Sequence, residues 1–584
     1  MEEDFVDTIK QRKNNDRKDE IVVHIGQQFP LTIKKIGING EGIGYFKRKI
    51  VFVEGALPGE VVTVEATEVQ EKIIIGRICK IRKRSVIRQK PLCTHYKKCG
   101  GCQLQHAKYG AQQAFKHQIV LDALKKYAHL SEDDVCVFLP LMMKHPFQYR
   151  NKSQLKFGEK DGQAVLGLYE KDSHQLVELS DCPIHMDRIN KINRTVIKII
   201  RKYQIPVYKE RTKKGILKNL VVRVSTTHPE VQVTFVATTK EIPNIQKMAY
   251  ELMSQHPQVK GVFVNVNVQN TPLVFGTQTI KIAGRDTITQ KLGDLVFDLS
   301  PRSFFQLNPI QTEVLYDVVR DFAGLTGKEN VVDAYCGVGT IGLYLSAAAK
   351  EVRGMDTVEE AIVDAKKNAK KNGCRRVSYF HGTAKKWVSQ WKREGWTMDV
   401  FVVDPPRIGC DRELLDTILS SGAKRVVYVS CNPSTMARDI QTLREKYIVQ
   451  KIQPVDLFPM SGHVETVALL TREKSVKSYA YVDITPSELG MDRKVKKPTY
   501  KQIQEYVLKT HGLKVSPLYI ANIKDELGLD KQFSYEEAGM SAEKRPSCPP
   551  EKRAAILDAF RHFGMIEEEK SKQVGRRICR FKTF

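Results

Sequence analysis

Long apolar runs are missing from this 584-residue chain. No stretch approaches the roughly 18 uninterrupted apolar residues of a membrane-spanning helix, which excludes an integral membrane protein of that kind. The N-terminal stretch MEEDFVDTIKQRKNNDRKDE has no apolar core and no small-residue cleavage site, so it does not read as a secretory leader. A cytoplasmic location is the expectation. Internal repeats and low-complexity tracts are also absent, which leaves ordinary globular domains. Acidic residues are in deficit, with 67 Asp and Glu against 94 Lys and Arg, a formal charge of +27. Residues 474–584 hold 22 basic and 15 acidic residues, so most of the excess lies before them and is not a tail. A basic body favours a polyanionic partner, nucleic acid first.

What is present is a globular composition. Hydrophobic residues make up 41% and charged residues 28%, too apolar for a wholly disordered chain. The length suggests three or four domains. The 12 cysteines are not expected to form a disulfide framework in a cytoplasmic chain, so spacing must separate ligands and nucleophiles from filler.

Along the chain, residues 1–22 read as a disordered polar leader. Residues 23–84 read as a small β-barrel. Apolar runs LTIKKI, KIVFVEG, EVVTVEAT and KIIIGRICKI, punctuated by glycines, give four or five short strands. Basic residues Lys34, Lys35, Lys47, Arg48, Lys49, Arg82, Lys83, Arg84 and Arg88, with Tyr45 and Phe46, favour an RNA-binding barrel over a merely solvated strand face. Residues 85–308 carry a cysteine cluster, a helix near 106–128, then strands such as NLVVRVST, VQVTFVATT and GVFVNVNV, an α+β pattern. Residues 309–473 alternate apolar strands with helix-like stretches, which predicts a doubly wound α/β sheet. Residues 474–498 read as a linker and 499–584 as a helical appendage.

Three motifs carry chemistry. Val331 to Thr340 (VVDAYCGVGT) reads as a strand, a Gly-rich turn and a helix start. Glycines let the backbone approach a ligand, and the helix start offers free N–H groups. Asp356, nineteen residues past Gly337, ends the next strand, where a carboxylate can accept hydrogen bonds from ribose hydroxyls. The D-x-x-x-G-x-G spacing looks like an S-adenosylmethionine turn rather than the dinucleotide fingerprint. Asp404-Pro405-Pro406-Arg407 follows the strand VFVVD, a rigid loop at a carboxyl strand end, where ligands of open α/β sheets bind. The next strand ends in Cys431-Asn432-Pro433, facing the same cleft. A cysteine there suits covalent catalysis on a pyrimidine. C5 of uracil is a poor nucleophile, and thiolate addition to C6 makes it an enolate carbon that can attack a methylsulfonium. A base must then remove the C5 proton. Glu465, in Gly462-His463-Val464-Glu465-Thr466, is the candidate, with His463 as runner-up. Separately, Cys93, Cys99, Cys102 and Cys182 supply four thiolates, enough for zinc or an iron–sulfur cluster, and spacing does not choose between them.

From about residue 27 to residue 472 the chain resembles the bacterial RNA 5-methyluridine methyltransferases, in particular the iron–sulfur branch that acts on 23S ribosomal RNA. The carrying segments are FVEGALPGE, Cys93-x5-Cys99-x2-Cys102, Asp181-Cys182-Pro183, Arg302-Ser303-Phe304-Phe305-Gln306-Leu307-Asn308, DAYCGVGT, DPPR, SCNP and GHVET, in one order. The resemblance implies a TRAM/OB-like RNA-binding barrel, a central α+β domain with a 4Fe-4S cluster on Cys93, Cys99, Cys102 and Cys182, and a Rossmann-like methyltransferase domain. It implies Cys431 as nucleophile, Glu465 as general base, and Gln306, Tyr335, Thr340, Asp356 and Asp404 as contacts of the methyl donor, S-adenosyl-L-methionine. Asp356 stands where family members usually carry Glu, and keeps the carboxylate. The cluster is expected to act as a structural staple. A monomer acting on 23S rRNA, away from membranes, is the expectation; the tRNA branch of the family generally lacks the cysteine cluster.

Two alternatives share the fold. An RNA cytosine-5 methyltransferase typically places a second cysteine after a proline in the DPP-type loop, and Asp404-Pro405-Pro406-Arg407 has none. A non-catalytic RNA-binding iron–sulfur protein would show decay of the cysteine or of the Gly turn, and both are intact. The resemblance stops near residue 472, and the C-terminal helices with the basic end GRRICRFK read equally as an RNA-binding accessory or a packed appendage.

Overall fold

The computed structural model describes residues 23–472 apart from 172, 174, 180 and 270–272, then 499–526, and 548–565 apart from 564. The leader, the linker and the GRRICRFK segment lie outside the described residues. The chain forms two compact units, which divide near residue 474.

The N-terminal part of the first unit is a six-stranded sheet: β1 (Gln28–Thr32), β2 (Lys35–Ile36), β3 (Gly42–Phe46), β4 (Lys49–Val53), β5 (Val61–Val69) and β6 (Ile73–Lys83), in the order 1-5-6-4-3-2. Alternation in β1 and β5 turns Phe29, Leu31, Val62, Val64 and Ala66 inward onto Val51, Val53 and Ile74. Phe29 stacks on Phe46 at 3.9 Å between centroids, so strands far apart in the order face each other across the curled sheet. The run LTIKKI, read as one strand, is two. At Ile33 and Lys34 the backbone changes partners, from Glu60 to Ile43.

The next strand, the two-residue β7 (Cys136–Val137), joins a different sheet. Seven strands follow: β8 (Lys152–Lys160), β9 (Gln163–Tyr169), β10 (Leu176–Glu178), β11 (Leu217–Val224), β12 (Val231–Ala237), β13 (Val259–Val266) and β14 (Gln278–Gly284), in the order 10-9-8-11-12-13-14. Only β12 and β13 run parallel, and the helix Ile245–Gln255 connects them. That helix and Asp187–Lys202 bury Ile189, Ile192, Val196 and Leu252 in one core with this sheet. A hairpin of β15 (Ile288–Leu292) and β16 (Leu295–Leu299) leads to the third layer system.

There β17 (Asn330–Ala334), β18 (Glu351–Asp356), β19 (Val377–His381), β20 (Val400–Val403), β21 (Arg425–Ser430), β22 (Tyr447–Val455) and β23 (Glu465–Arg472) form a sheet with β7, in the order 19-18-17-20-21-23-22-7. All neighbours are parallel except β23, which is antiparallel to β21 and β22. The order reverses between β17 and β20, which opens a crevice at their carboxyl ends. Residues 104–137 extend this layer system. β7 pairs with β22, and the helix Tyr109–Ala123 shares a core with β21 and the helix Pro433–Leu443 through Phe115, Ile119 and Val120. A boundary at 308 in the sequence is therefore not a boundary in space, because this helix buries its apolar face on the eight-stranded sheet.

In the second unit the helices Tyr500–His511, Pro517–Glu526 and Pro550–His562 surround Ile503, Val507, Ile520, Ile523, Ile556 and Phe560. A capping box of Thr499 and Gln502 starts the first helix, and Gly512 at φ 66° ends it.

The loop 456–464 between β22 and β23 is where the parts of the first unit meet. Gln103 and Leu104 donate backbone N–H bonds to the Met460 carbonyl at 3.1 and 2.9 Å. The Tyr149 hydroxyl donates to the Pro459 carbonyl at 3.1 Å. The β2–β3 turn of the barrel lies on Gly462, where a Cβ would stand 2.8 Å from the Gly40 nitrogen and 2.9 Å from the Ile38 oxygen. Those neighbours are backbone and have little room to give. Gly462→Ala should therefore destabilise the first unit by about 1–3 kcal/mol, read as a lower urea midpoint. An unchanged midpoint would show that the barrel is not seated tightly there.

Candidate active site

The turn after β17 is built on backbone conformations that few residues adopt. Tyr335, Gly337 and Gly339 have φ values of 60°, 53° and 84°. Gly339 is also needed for space, because a Cβ would meet the Tyr379 ring at 2.5 Å. The Tyr379 hydroxyl donates to the Gly339 carbonyl at 2.8 Å. Inside the turn, Asp333 accepts the Gly342 N–H at 2.8 Å, and burial pushes its carboxyl up to about 7. Asp356 accepts the N–H groups of Gly337 at 3.0 Å and Val358 at 2.9 Å, which fixes the carboxylate at the end of β18.

In front of this turn lies a cavity of about 360 Å³. Gln306, Tyr335, Thr340, Asp404, Cys431 and Glu465 all line it, together with Phe304, Tyr316, Arg407 and Phe458. Asp356 lines a second cavity of about 280 Å³, and Tyr335 belongs to both walls. The structure thus brings six of the seven expected residues into one space and sets the seventh on the far side of a shared ring. The segment with Phe304 and Gln306 is anchored from the central sheet. Buried Arg223 on β11 donates to the carbonyls of Ser300 at 3.1 Å and Ser303 at 2.5 Å.

Strand register explains why Cys431 meets Glu465. Ser430 at the end of β21 pairs with Thr466 in antiparallel β23, so the residue after one and the residue before the other fall opposite each other. Asn432 then caps the helix Pro433–Leu443 by accepting the Ser434 N–H. Asn432 and Thr435 also donate to the Arg407 carbonyl at 3.0 and 3.2 Å, which ties the DPPR loop to the Cys431 turn.

The charges in this space oppose one another. Burial, with Asp404 next, pushes the Glu465 carboxyl up to about 8, and Arg407 and Lys116 pull the other way. Burial pushes Asp404 up to about 6. Burial pushes the Cys431 thiol up to about 11, Glu465 and Asp404 add to it, and Arg407 opposes. Burial, Arg407 and Lys116 push His463 down to about 4, and its ring lies 3.2 Å from the Arg407 guanidinium. His463 is therefore neutral near pH 7. Glu465 makes no hydrogen bond among the described residues, so its carboxyl is free to exchange a proton. A pocket with two partly neutralised carboxyls beside a thiol favours a cationic ligand, which would draw both carboxyls into their ionised forms.

Away from this pocket, Cys93, Cys99 and Cys182 lie close enough to bear on the Cys102 thiol, and Cys93 and Cys99 on that of Cys182. Burial pushes Cys102 up to about 12 and raises Cys99 and Cys182. Hydrogen bonds oppose this. The Gly101 N–H serves the Cys99 sulfur, the Gln105 side chain serves Cys102, and the Ile184 and His185 N–H groups serve Cys182. Among the described residues, no group of three ligand side chains is close enough to hold a single metal ion.

From the sequence, Arg407 and Phe304 are named only as parts of motifs, and Lys116, Asp456 and Phe458 are passed over. Phe304 is 69% exposed at the cavity mouth. An exposed phenylalanine beside a cleft has no signature in a run such as RSFFQLN. Lys116 and Asp456 are 340 residues apart, and each alone reads as a surface charge.

The chain is similar to known proteins over most of its length. The model of the tRNA (Uracil-5-)-methyltransferase family matches residues 109–473, and that of the TRAM domain matches residues 22–79. An uncharacterized RNA methyltransferase of Bacillus anthracis is 48% identical over 78% of this chain and 99% of its own length. One of Halalkalibacterium halodurans is 49% identical over 77% of this chain and 98% of its own. The solved structure of Pyrococcus abyssi tRNA (uracil-54, C5)-methyltransferase in complex with S-adenosyl-L-homocysteine superposes with a TM-score of 0.61 at 26% identity, covering 76% of this chain and 99% of that one. With its TRAM domain, Gly turn and cysteine–carboxylate cavity, the chain belongs to the tRNA (Uracil-5-)-methyltransferase family and is an S-adenosylmethionine-dependent RNA methyltransferase.

Proposed function

We propose that the protein methylates C5 of uridine in 23S ribosomal RNA by covalent catalysis, as a cytoplasmic monomer. The observation that carries the chemistry is the meeting of Cys431 and Glu465 across adjacent antiparallel strands, in a cavity shared with the Gly turn. The Cys431 thiolate, favoured by the nearby Arg407 guanidinium, adds to C6 of uracil and moves the electron pair to C5. S-adenosyl-L-methionine, when bound, supplies the methyl group that C5 takes. Gln306, Tyr335, Thr340 and Asp404 line the space for it, and Asp356 and Tyr335 line the neighbouring space. Glu465 then accepts the C5 proton, the C5–C6 double bond re-forms and the C6–S bond breaks. His463, the runner-up base, is paired with Arg407 rather than with the thiol.

Delivery of a polyanion fits the surface. At the β3–β4 turn Lys47 and Arg48 hold φ values of 48° and 64° beside Tyr45, which is 55% exposed. Burial pushes Lys152, on the central sheet, down to about 7, and Arg223 and Arg150 add to it, so an RNA phosphate there would favour its charged form. The four cysteines fit a 4Fe-4S cluster. Donors at Cys99, Cys102 and Cys182 oppose the burial that keeps these thiols protonated, and a bound cluster would hold them as thiolates. Cys102 and Cys182 pack with Tyr149 and Phe458, so a staple at these cysteines would order the segment behind the cavity wall.

The 23S target rests on the cysteine set. A tRNA target is the second reading, favoured by the likeness to the Pyrococcus abyssi tRNA enzyme. Mapping 5-methyluridine in both RNAs from a strain lacking the gene decides: loss from 23S rRNA is expected, and loss from tRNA alone overturns the assignment.

Cys431→Ala should abolish methylation while leaving S-adenosylmethionine binding intact, and 5-fluorouridine RNA should trap a covalent adduct with the unaltered protein. Full activity in Cys431→Ala would sink the mechanism. Glu465→Gln should form the methylated adduct but fail to resolve it, giving a protein–RNA band on a denaturing gel and a loss of about 10²–10⁴-fold in turnover. Since Glu465 must be ionised to act, resolution in the unaltered protein should quicken as pH rises toward 8. Anaerobically purified protein should be brown, with about four irons per chain; stoichiometric zinc with no iron after anaerobic reconstitution would exclude the cluster.

A further inference from the structure

The helix Tyr109–Ala123 puts a lysine where almost none is found. The Lys116 side chain is wholly buried, its Nζ is 2.5 Å from Asp456 Oδ1, and that carboxylate is wholly buried too. Lys116 also donates to the Phe458 carbonyl at 3.1 Å. The Tyr109 hydroxyl, two helical turns earlier, donates to the other Asp456 oxygen at 2.9 Å and accepts the Met143 N–H at 2.9 Å. The bonds donated by Lys116 and Tyr109 land on the first residues of the loop 456–464, which supplies Phe458 to the cavity wall and leads into Glu465. Gln112, on the same helix face, accepts the Met460 N–H at 3.2 Å.

We infer that Lys116 is a positioning residue for Glu465, clamping through Asp456 and Phe458 the loop that carries this carboxyl to Cys431. The inference rests on Glu465 being the base. A buried ion pair is rarely kept for stability, because desolvation of both charges offsets most of their attraction. Here it has a second use. The charged or titratable groups that bear on Glu465 are Asp404 at the end of β20, Arg407 after it, Cys431 at the end of β21, Tyr316 from the helix Pro309–Ala323 and Lys116 from the helix Tyr109–Ala123, with His463 beside Arg407 on its own loop. Only Arg407 and Lys116 favour the ionised carboxyl. Arg407 is exposed and screened by water, whereas Lys116 is not. Lys116 thus sets both the place and the charge of Glu465 from behind, without touching substrate.

The test uses the full-length protein and a labelled RNA fragment that carries the unmethylated target uridine. Lys116→Met should lower kcat by about 10²-fold with KM for RNA nearly unchanged, since a displacement of the base of this kind falls on the chemical step. It should accumulate the methylated adduct, and raising the pH should restore part of the lost resolution, because without the ammonium Glu465 ionises at higher pH. A merely structural lysine would instead weaken adduct formation and resolution together and leave the pH profile in place; that outcome overturns the inference. If Lys116→Met fails to fold, Lys116→Met with Asp456→Asn removes both charges while Asn still accepts from Tyr109. This variant should fold and show the same adduct and the same shifted profile. Resolution at the unaltered rate and pH profile in it would equally overturn the inference. Glu465→Gln separates the two levels: without adduct in that variant the base assignment fails, and with adduct there but not in the Lys116 variants only the positioning role fails.

Discussion

The site depends on one strand entering the sheet backwards. β23 lies between β21 and β22 and runs against both. Parallel strands of a doubly wound sheet all end on the same edge, so their last residues line the crevice but their first residues never do. An antiparallel strand begins where its neighbours end. That is how Glu465, the first residue of β23, comes to stand opposite Cys431, the first residue past β21. A thiol and a carboxyl from segments about thirty residues apart are thereby set by backbone hydrogen bonds rather than by flexible side chains. The requirement this imposes is the loop 456–464, which must turn the chain over the crevice rim.

The electrostatics follow from the same crowding. Asp404, Cys431 and Glu465 are acids gathered in one partly dry space, where burial favours the protonated form of each, Asp404 adds to this at Glu465, and both carboxyls add to it at Cys431. The resting site is therefore short of negative charge, and arrival of a cation changes that. A sulfonium beside these groups favours the ionised carboxyls. Ionisation is then greatest while the donor still carries its charge. Arg407 and Lys116 keep the imbalance within reach of neutral pH.

Much of this was legible in the sequence, for reasons that differ by residue. Period-two alternation marks β1 and β5 because one face of each is buried, and the continuous apolar run VFVV marks β20 because both faces are. Gly337 and Gly339 are visible because only glycine meets their φ and space without strain. Cys431 and Asp404 are visible because strand ends are where α/β sheets do chemistry. Three features were not legible. β7 is two residues long and has no period to detect. The break at Ile33 and Lys34 is a change of hydrogen-bond partner, which leaves the residue pattern untouched. Gln112 and Lys116 sit on the polar face of their helix, a pattern that ordinarily marks solvent, and here that face meets a loop encoded 340 residues later.

That loop also explains why the barrel and the cysteine segment belong to the catalytic unit rather than hanging from it. A loop of nine residues with no strand partner would by itself fluctuate, and a general base held loosely is a poor one. Its backbone groups are bonded instead by three pieces of chain that precede the methyltransferase sheet. Gln103 and Leu104, next to Cys102, take Met460 into a conformation with φ 68°. Tyr149 holds Pro459, and the barrel turn 38–40 closes on Gly462, the one residue there without a side chain to obstruct it. An RNA strand bound by the barrel and a staple at the cysteines would both bear on the same nine residues. The order of Glu465 is thus set outside the sheet that supplies it, by the barrel turn, the segment beside Cys102 and Tyr149.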